Sequence, residues 1–188
     1  MKKYAFILKA EGAKPDTCSL TYRNDESLCI IAAAGKVQAA EEYVKGLSGQ
    51  GFYTIDLSGE FSDPELELIS RAAGEKVSIR KALYDLNGLV RLDRLEASFL
   101  PKTQGIIIRA GGVEKAWEGV IRRRSGDVRV MIVRDIPQAK RAAVRMLEKR
   151  VCLIELSRWF DNLRLDAVVR AVDGAVPVGT CGKLFIYR

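Results

Sequence analysis

Short apolar runs and helix-period stripes follow one another in a fixed order along this chain, and that order is written twice. In the first half Lys3–Leu8 and Leu28–Ala33 are mostly apolar, as expected for strands covered on both faces. Ser19–Arg23 between them reads as a short edge strand. Val37, Ala40, Val44 and Leu47 then recur at helical spacing, with Gly49 and Gly51 to stop the helix. Phe52–Leu57 is the next strand. Ser62 and Glu65 stand at capping-box spacing, and Pro64 suits a first turn that needs no N–H, so a helix starts here. Leu66, Ile69 and Ala73 make its apolar stripe, Gly74 ends it, and Val77–Ile79 is a short strand. Crossovers of helical length argue for parallel strands joined right-handedly.

The second half repeats the series. Gly105–Arg109 is its first strand, Trp117–Arg122 its edge strand and Val128–Val133 a buried strand. Asp135 and Pro137 open a helix to Lys149; Val151–Leu156 is a strand, Asp161–Val172 a helix and Val176–Val178 a strand. Lys183–Tyr187 reads as one further strand. The words themselves recur: Ile55-Asp56-Leu57-Ser58 with Phe61 returns as Ile154-Glu155-Leu156-Ser157 with Phe160, at an offset of 99. Ala5 to Ala10 with Gly12 returns as Gly105 to Ala110 with Gly112, at an offset of 100.

This duplication predicts an α/β protein of two homologous β-α-β-α-β-containing halves with pseudo-twofold symmetry, its sheets mainly parallel and covered by helices. The expected boundaries are 1–88 for the first repeat, 89–101 for a connecting helix or linker, and 102–188 for the second repeat. Two readings compete in the connection. Asn87-Gly88 could turn a hairpin; alternatively Leu89, Leu92, Leu95, Glu96 and Phe99 fit a helix capped by Asn87, and of the two the helix is the favoured reading, on a run too short for periodicity to decide.

Composition narrows the chemistry. The chain has 188 residues, a net charge of +7 and no histidine. A Ser-His-Asp triad or a His-ligated metal site is therefore ruled out, and acid–base work would fall to carboxylates, Lys, Tyr or Cys. Residues 1–100 hold 13 basic and 15 acidic side chains, whereas residues 101–188 hold 18 and 9. A basic second half can attract an anionic ligand. Cys18, Cys29, Cys152 and Cys181 form no C-x-x-C pair and read as free thiols in a reducing cytoplasm. No apolar run has the length of a secretory signal or a membrane span, so a cytoplasmic location is expected.

Lys3, Ala5, Phe6 and Ile7, then Leu153-Ile154-Glu155-Leu156 with Phe160, and Val176-Pro177-Val178-Gly179 resemble three segments of a family of small bacterial α/β proteins of unknown function. Each member is about one copy long. The family's cysteine after the middle strand is Ser58 and Ser157 here, and its paired glycines are Gly59-Glu60 and Arg158-Trp159. The resemblance implies a stand-alone α/β unit that assembles, and carries no activity.

Ligands of parallel sheets sit beyond the carboxyl ends of strands, near helix starts that favour anions. That places the candidate ligand residues at Ser58, Glu60 and Arg80 in the first copy, and at Glu155, Ser157, Arg158, Thr180 and Cys181 in the second. The bland alternative is that these acids and serines satisfy backbone groups at turns. Gly12 and Gly111-Gly112 lack a phosphate-loop pattern and read as turns. Arg122-Arg123-Arg124, with Arg141, Arg145 and Lys149 on one helix face, makes nucleic acid a third, less favoured partner. The leading expectation is a non-catalytic binding or assembly protein for an anionic small molecule, without cofactor or metal and able to form homo-oligomers. The alternative is a metal-independent isomerase- or lyase-type enzyme using carboxylate, Lys or Cys chemistry, with Glu60 or Glu155 in a cleft.

Overall fold

The computed structural model describes residues 1–96, 102–123 and 126–184. It divides into two compact units, Met1–Lys81 and Ala82–Arg188. The first runs β1 (Lys2–Lys9), β2 (Ser19–Arg23), β3 (Ser27–Ala34), α1 (Val37–Gly49), β4 (Thr54–Leu57), α2 (Asp63–Ala73) and β5 (Ser78–Lys81). Its strand order is β2-β3-β1-β4-β5, parallel throughout except for β2, which pairs antiparallel with β3. The second unit runs α3 (Leu86–Glu96), β6 (Gln104–Arg109), β7 (Trp117–Ile121), β8 (Val128–Val133), α4 (Ile136–Glu148), β9 (Leu153–Leu156), α5 (Asn162–Ala171) and β10 (Val178–Thr180). Its order, β7-β8-β6-β9-β10, and its single antiparallel pair repeat the first. Each copy thus closes its own sheet, and the fold is α/β with an internal duplication, as the repeated pattern predicts.

From Leu86 to Glu96 the connection is a helix, and residues 97–101, Phe99 among them, lie outside the described residues. Asp85, not Asn87, starts α3: its carboxylate accepts from Gly88 N (2.6 Å) and its carbonyl from Leu89 N (2.9 Å). The last strand begins later than predicted, at Val178, because Pro177 has no N–H to offer a ladder; its carbonyl accepts from Ile154 N (3.0 Å). Of the expected strand Lys183–Tyr187, residues 185–187 lie outside the described residues, and Lys183 and Leu184 are not in a strand. Among the described residues no helix is long and apolar enough to cross a membrane.

In each sheet the helical crossovers move in one direction, so right-handed connections put both helices on one face. In the first unit Ala5, Ile7, Ala32, Ile55 and Leu57 pack there against Val44, Leu47 and Ile69. In the second, Ile107, Met131, Ile154, Leu156 and Val178 meet Ala142, Met146, Leu165 and Val168. Strand alternation sends the other residues to the opposite face, and each copy places a fully buried acid there: Asp56 and Glu155.

A buried acid needs donors. Tyr4 Oη donates to Asp56 Oδ2 (2.7 Å). At the matching place on β6, Gln104 Nε2 donates to Glu155 Oε2 (2.9 Å), so the longer acid meets the shorter donor. Tyr84 Oη donates to the second oxygen, Oε1 (2.8 Å). Gly179 lies in register with Glu155, and a Cβ on it would stand 2.7 Å from the Tyr84 ring. The glycine therefore makes room for the tyrosine.

The start of α2 is the predicted capping box. Ser62 N donates to Glu65 Oε2 (2.8 Å) and Glu65 N to Ser62 Oγ (3.4 Å). Lys9 Nζ donates to both Glu65 oxygens (2.7 and 2.8 Å). Partial burial opposes the charge, but the hydrogen bonds from Lys9 and Ser62 outweigh it and hold the Glu65 carboxyl below the usual carboxylate range.

Two predictions follow from these contacts. Gly179→Ala should cost about 1–3 kcal/mol by overpacking the Tyr84 ring, and Tyr84→Phe about 1–3 kcal/mol by leaving a buried acceptor short of a donor; urea unfolding of both variants measures this. Because the folded pKa of Glu65 lies below its unfolded value, the ion pair's stabilisation is fully present above about pH 4.3 and is lost as the pH falls through the folded value. Urea midpoints should then drop more steeply in acid for the native chain than for Glu65→Gln, and parallel curves would exclude the linkage.

Candidate functional site

Ser58 and Ser157 stand at the carboxyl ends of β4 and β9, where the loops to α2 and α5 begin, and both are buried. Ser58 N donates to Ile7 O (2.9 Å), and Lys9 N donates to Ser58 Oγ (3.1 Å). Ser157 N donates to Ile107 O (3.0 Å), and Arg109 N to Ser157 Oγ (3.2 Å). Each serine hydroxyl thus adds a rung to the sheet where the strand's own carbonyl has turned away. Thr180 Oγ1 donates to Phe160 O (2.6 Å) and accepts from Gly182 N (2.9 Å), while its backbone exchanges two hydrogen bonds with Leu83. Cys181 is buried, and its N–H donates to Leu156 O (3.0 Å).

The structure brings Ser157, Arg158, Thr180 and Cys181 together at the carboxyl edge of the second sheet, with Glu155 buried inside it. Ser58 and Glu60 lie at the edge of the first sheet, and Arg80 lies within β5 in register with Asp56. Glu60 is exposed, and Arg80 and Arg158 are half-buried, so these three keep side-chain surface toward solvent.

Three residues outside the sequence-derived set complete the second edge. Trp159 is half-buried and meets Phe160 edge-on, with ring centroids 5.0 Å apart. The Arg164 guanidinium lies 4.4 Å from the Trp159 ring centroid and that of Arg109 5.4 Å. Such contacts are worth about 0.5–1 kcal/mol at exposed sites and hold the cations in place. Arg164 also donates to Asp161 Oδ2 (2.9 Å) and to Trp159 O (3.1 Å). Arg109 Nε donates to Arg134 O (3.2 Å), and Arg134 pairs with Asp135 (3.1 Å). At these positions the second unit carries Arg109, Arg134, Arg158 and Arg164 with Asp135 and Asp161, of which Arg134 and Arg164 pair with the two acids. The first unit offers Lys9 and Lys36 against Glu60, Asp63 and Glu65 at the corresponding positions. Glu65, the acid that pairs with Lys9, is replaced by Arg164, and Glu60 by Trp159. Alignment of the two copies displays these exchanges, although nothing in either copy alone marks them.

Elsewhere Cys29 and Cys181 are buried, and Arg122 and Arg123 of the basic run are engaged. Burial pushes the Cys29 thiol up to about 12, and all four cysteines are free. Arg122 pairs with Asp127 (2.9 Å), Arg123 Nε donates to Gly126 O (2.9 Å), and Arg124 lies outside the described residues. Arg145 pairs with Glu118 (3.0 Å). Two clefts, beside a more open one over Lys140, Val144 and Glu148, lie on the second unit among the described residues. One, of about 510 Å³, lies between the start of α3 and α5 and is lined by Leu86, Leu89, Leu165 and Val169. The other, of about 460 Å³, lies between α4 and the turn before β7. Neither is lined by Glu60 or Glu155.

Among solved structures, an NtrC family transcriptional regulator from Clostridium acetobutylicum is similar over 97% of this chain and 88% of its own, at 9% identity and a TM-score of 0.32. A carbohydrate transporter from Acidothermus cellulolyticus 11B, solved in complex with myo-inositol, is similar over 95% of this chain and 73% of its own, at 9% identity and a TM-score of 0.31. No curated protein matches the chain. The model of a family of unknown function (DUF6506) matches residues 2–95 and again residues 102–183. Matched twice in tandem over nearly all of its length, the chain belongs to that family and carries two copies of its unit.

Proposed function

We propose that this is a non-catalytic binding protein that takes an anionic small molecule at the carboxyl edge of its second sheet. One observation carries the reading. The Lys9–Glu65 ion pair that closes the edge of the first unit has become Arg109 and Arg164 around Trp159, the residue that follows Arg158 in the chain. Guanidinium groups held against a ring present several N–H donors in a fixed plane, a geometry suited to carboxylate or phosphate. The serine and threonine hydroxyls act behind them by fixing the backbone, and leave ligand contact to Arg109 and Arg158. Tyr84 and Gln104 occupy both oxygens of Glu155, which argues against its use as a proton carrier and favours binding over catalysis.

The test is a thermal-shift panel of inorganic phosphate, pyrophosphate, citrate and a sugar phosphate. An anion that fits should raise the midpoint of the native chain, with about 2.7 kcal/mol of stabilisation at a hundredfold excess over Kd. Arg158→Ala and Arg109→Ala should lose the shift measured against each variant's own ligand-free midpoint; Arg109→Ala is itself destabilised by about 0.5–1 kcal/mol through the lost Trp159 contact. Equal shifts in native chain and variants would sink the reading.

A further inference from the structure

The second cleft lies where the matching position of the first unit carries a tyrosine packed against the core. Helices α1 and α4 have the same length and superpose in burial: Ala40, Val44 and Leu47 of α1 match Ala139, Ala143 and Met146 of α4. The same offset places Tyr43 opposite Ala142. Tyr43 packs against the first unit's core, and burial and the nearby Asp16 carboxylate both raise its phenol pKa. In the second unit Ala142 leaves the ring's place open, and the cleft of about 460 Å³ lies there, floored by Ala116, Met131 and Ala142.

The charges around that place are reversed. Ser19 and Glu118 hold the same register position against Ala32 and Met131, so Asp16 corresponds to Lys115. Along the helix Glu42 corresponds to Arg141 and Gly46 to Arg145. Arg145 is paired with Glu118, which also takes Arg129 (3.1 Å). Glu114 stands at the rim, and its carbonyl accepts from Gln138 Nε2 (3.0 Å). Lys115 and Arg141 are exposed, and three cations line the cleft with one acid.

We infer that this cleft binds a small anion that carries a planar ring, an aryl carboxylate or aryl phosphate. The ring takes the place that Tyr43 fills in the first unit, and the anionic group meets Lys115 and Arg141. An apolar floor with a few charged groups at the rim is the usual make-up of a small-ligand site, and Arg over carboxylate or phosphate supplies two parallel donors. The site shares no lining residue with the Arg109–Trp159–Arg158 edge, so the two stand or fall separately.

The experiment is an amide NMR titration of the whole chain with benzoate and with phenyl phosphate, which separates the two anion types. Benzyl alcohol and inorganic phosphate serve as ring-only and anion-only controls. Saturable shifts should appear at Ala116, Met131 and Ala142 with at least one aryl anion, and each control should bind about tenfold more weakly or worse. Ala142→Tyr restores the side chain found in the first unit and should abolish the shifts. Arg141→Glu should weaken binding by about tenfold or more without filling the cleft. Absence of saturable shifts with both aryl anions overturns the inference. So do unchanged affinity in Arg141→Glu, or controls that bind as well as the aryl anions.

Discussion

A parallel strand cannot be reached by a tight turn. The chain must cross back over the sheet, and its twist makes that crossing right-handed. Most of this protein follows from that constraint. Because the helical crossovers within each unit step the same way across the sheet, one face receives both helices. The other face is left to alternate strand residues, Asp56 and Glu155 among them. Within each unit the same constraint gathers the carboxyl ends of these strands at one edge of its own sheet: β1, β3 and β4 in the first, β6, β8 and β9 in the second. The helices start there, and there Ser58 and Ser157 stitch the departing strand to its neighbour through their hydroxyls.

The two copies show which parts of this plan are fixed and which can vary. The apolar framework and the serine rung recur. The buried acid recurs with different donors, Tyr4 in one copy and Gln104 with Tyr84 in the other, because the requirement is a satisfied oxygen and not a particular partner. The surface edge is freer still. Lys9 and Glu65 neutralise one another, whereas Arg109 and Arg164 both lean on Trp159, and the pair's charge becomes positive without disturbing a strand.

Much of the fold was legible in the sequence. The stripe Val37, Ala40, Val44 and Leu47, the cap at Ser62 and Glu65, and the repeated middle strand each rest on residues close together in the chain. What failed to show depended on partners far away. Ser157 reads as a loop residue before a helix, and its role appears only when Arg109, 48 residues earlier, donates to it. Gly179 reads as the end of a strand; its purpose is the ring of Tyr84, which reaches it from the segment before α3. The exchange of Tyr43 for Ala142 could be spelled out from the two helices, but only packing turns it into a cleft.

Leu83 and Tyr84 also bear on where one unit ends. They precede α3 and stand before the second match to the family, which starts at residue 102. Yet Leu83 forms the bridge with Thr180 that covers the outer side of β10, and Tyr84 supplies a hydrogen bond to Glu155. The repeat as inherited and the unit as folded therefore have different beginnings. A fragment cut where the second copy resumes in sequence would carry a bare sheet edge and a buried acid short of one donor. The second compact unit begins at Ala82, so Leu83, Tyr84 and α3 belong to it as folded, ahead of the point where the repeated sequence resumes.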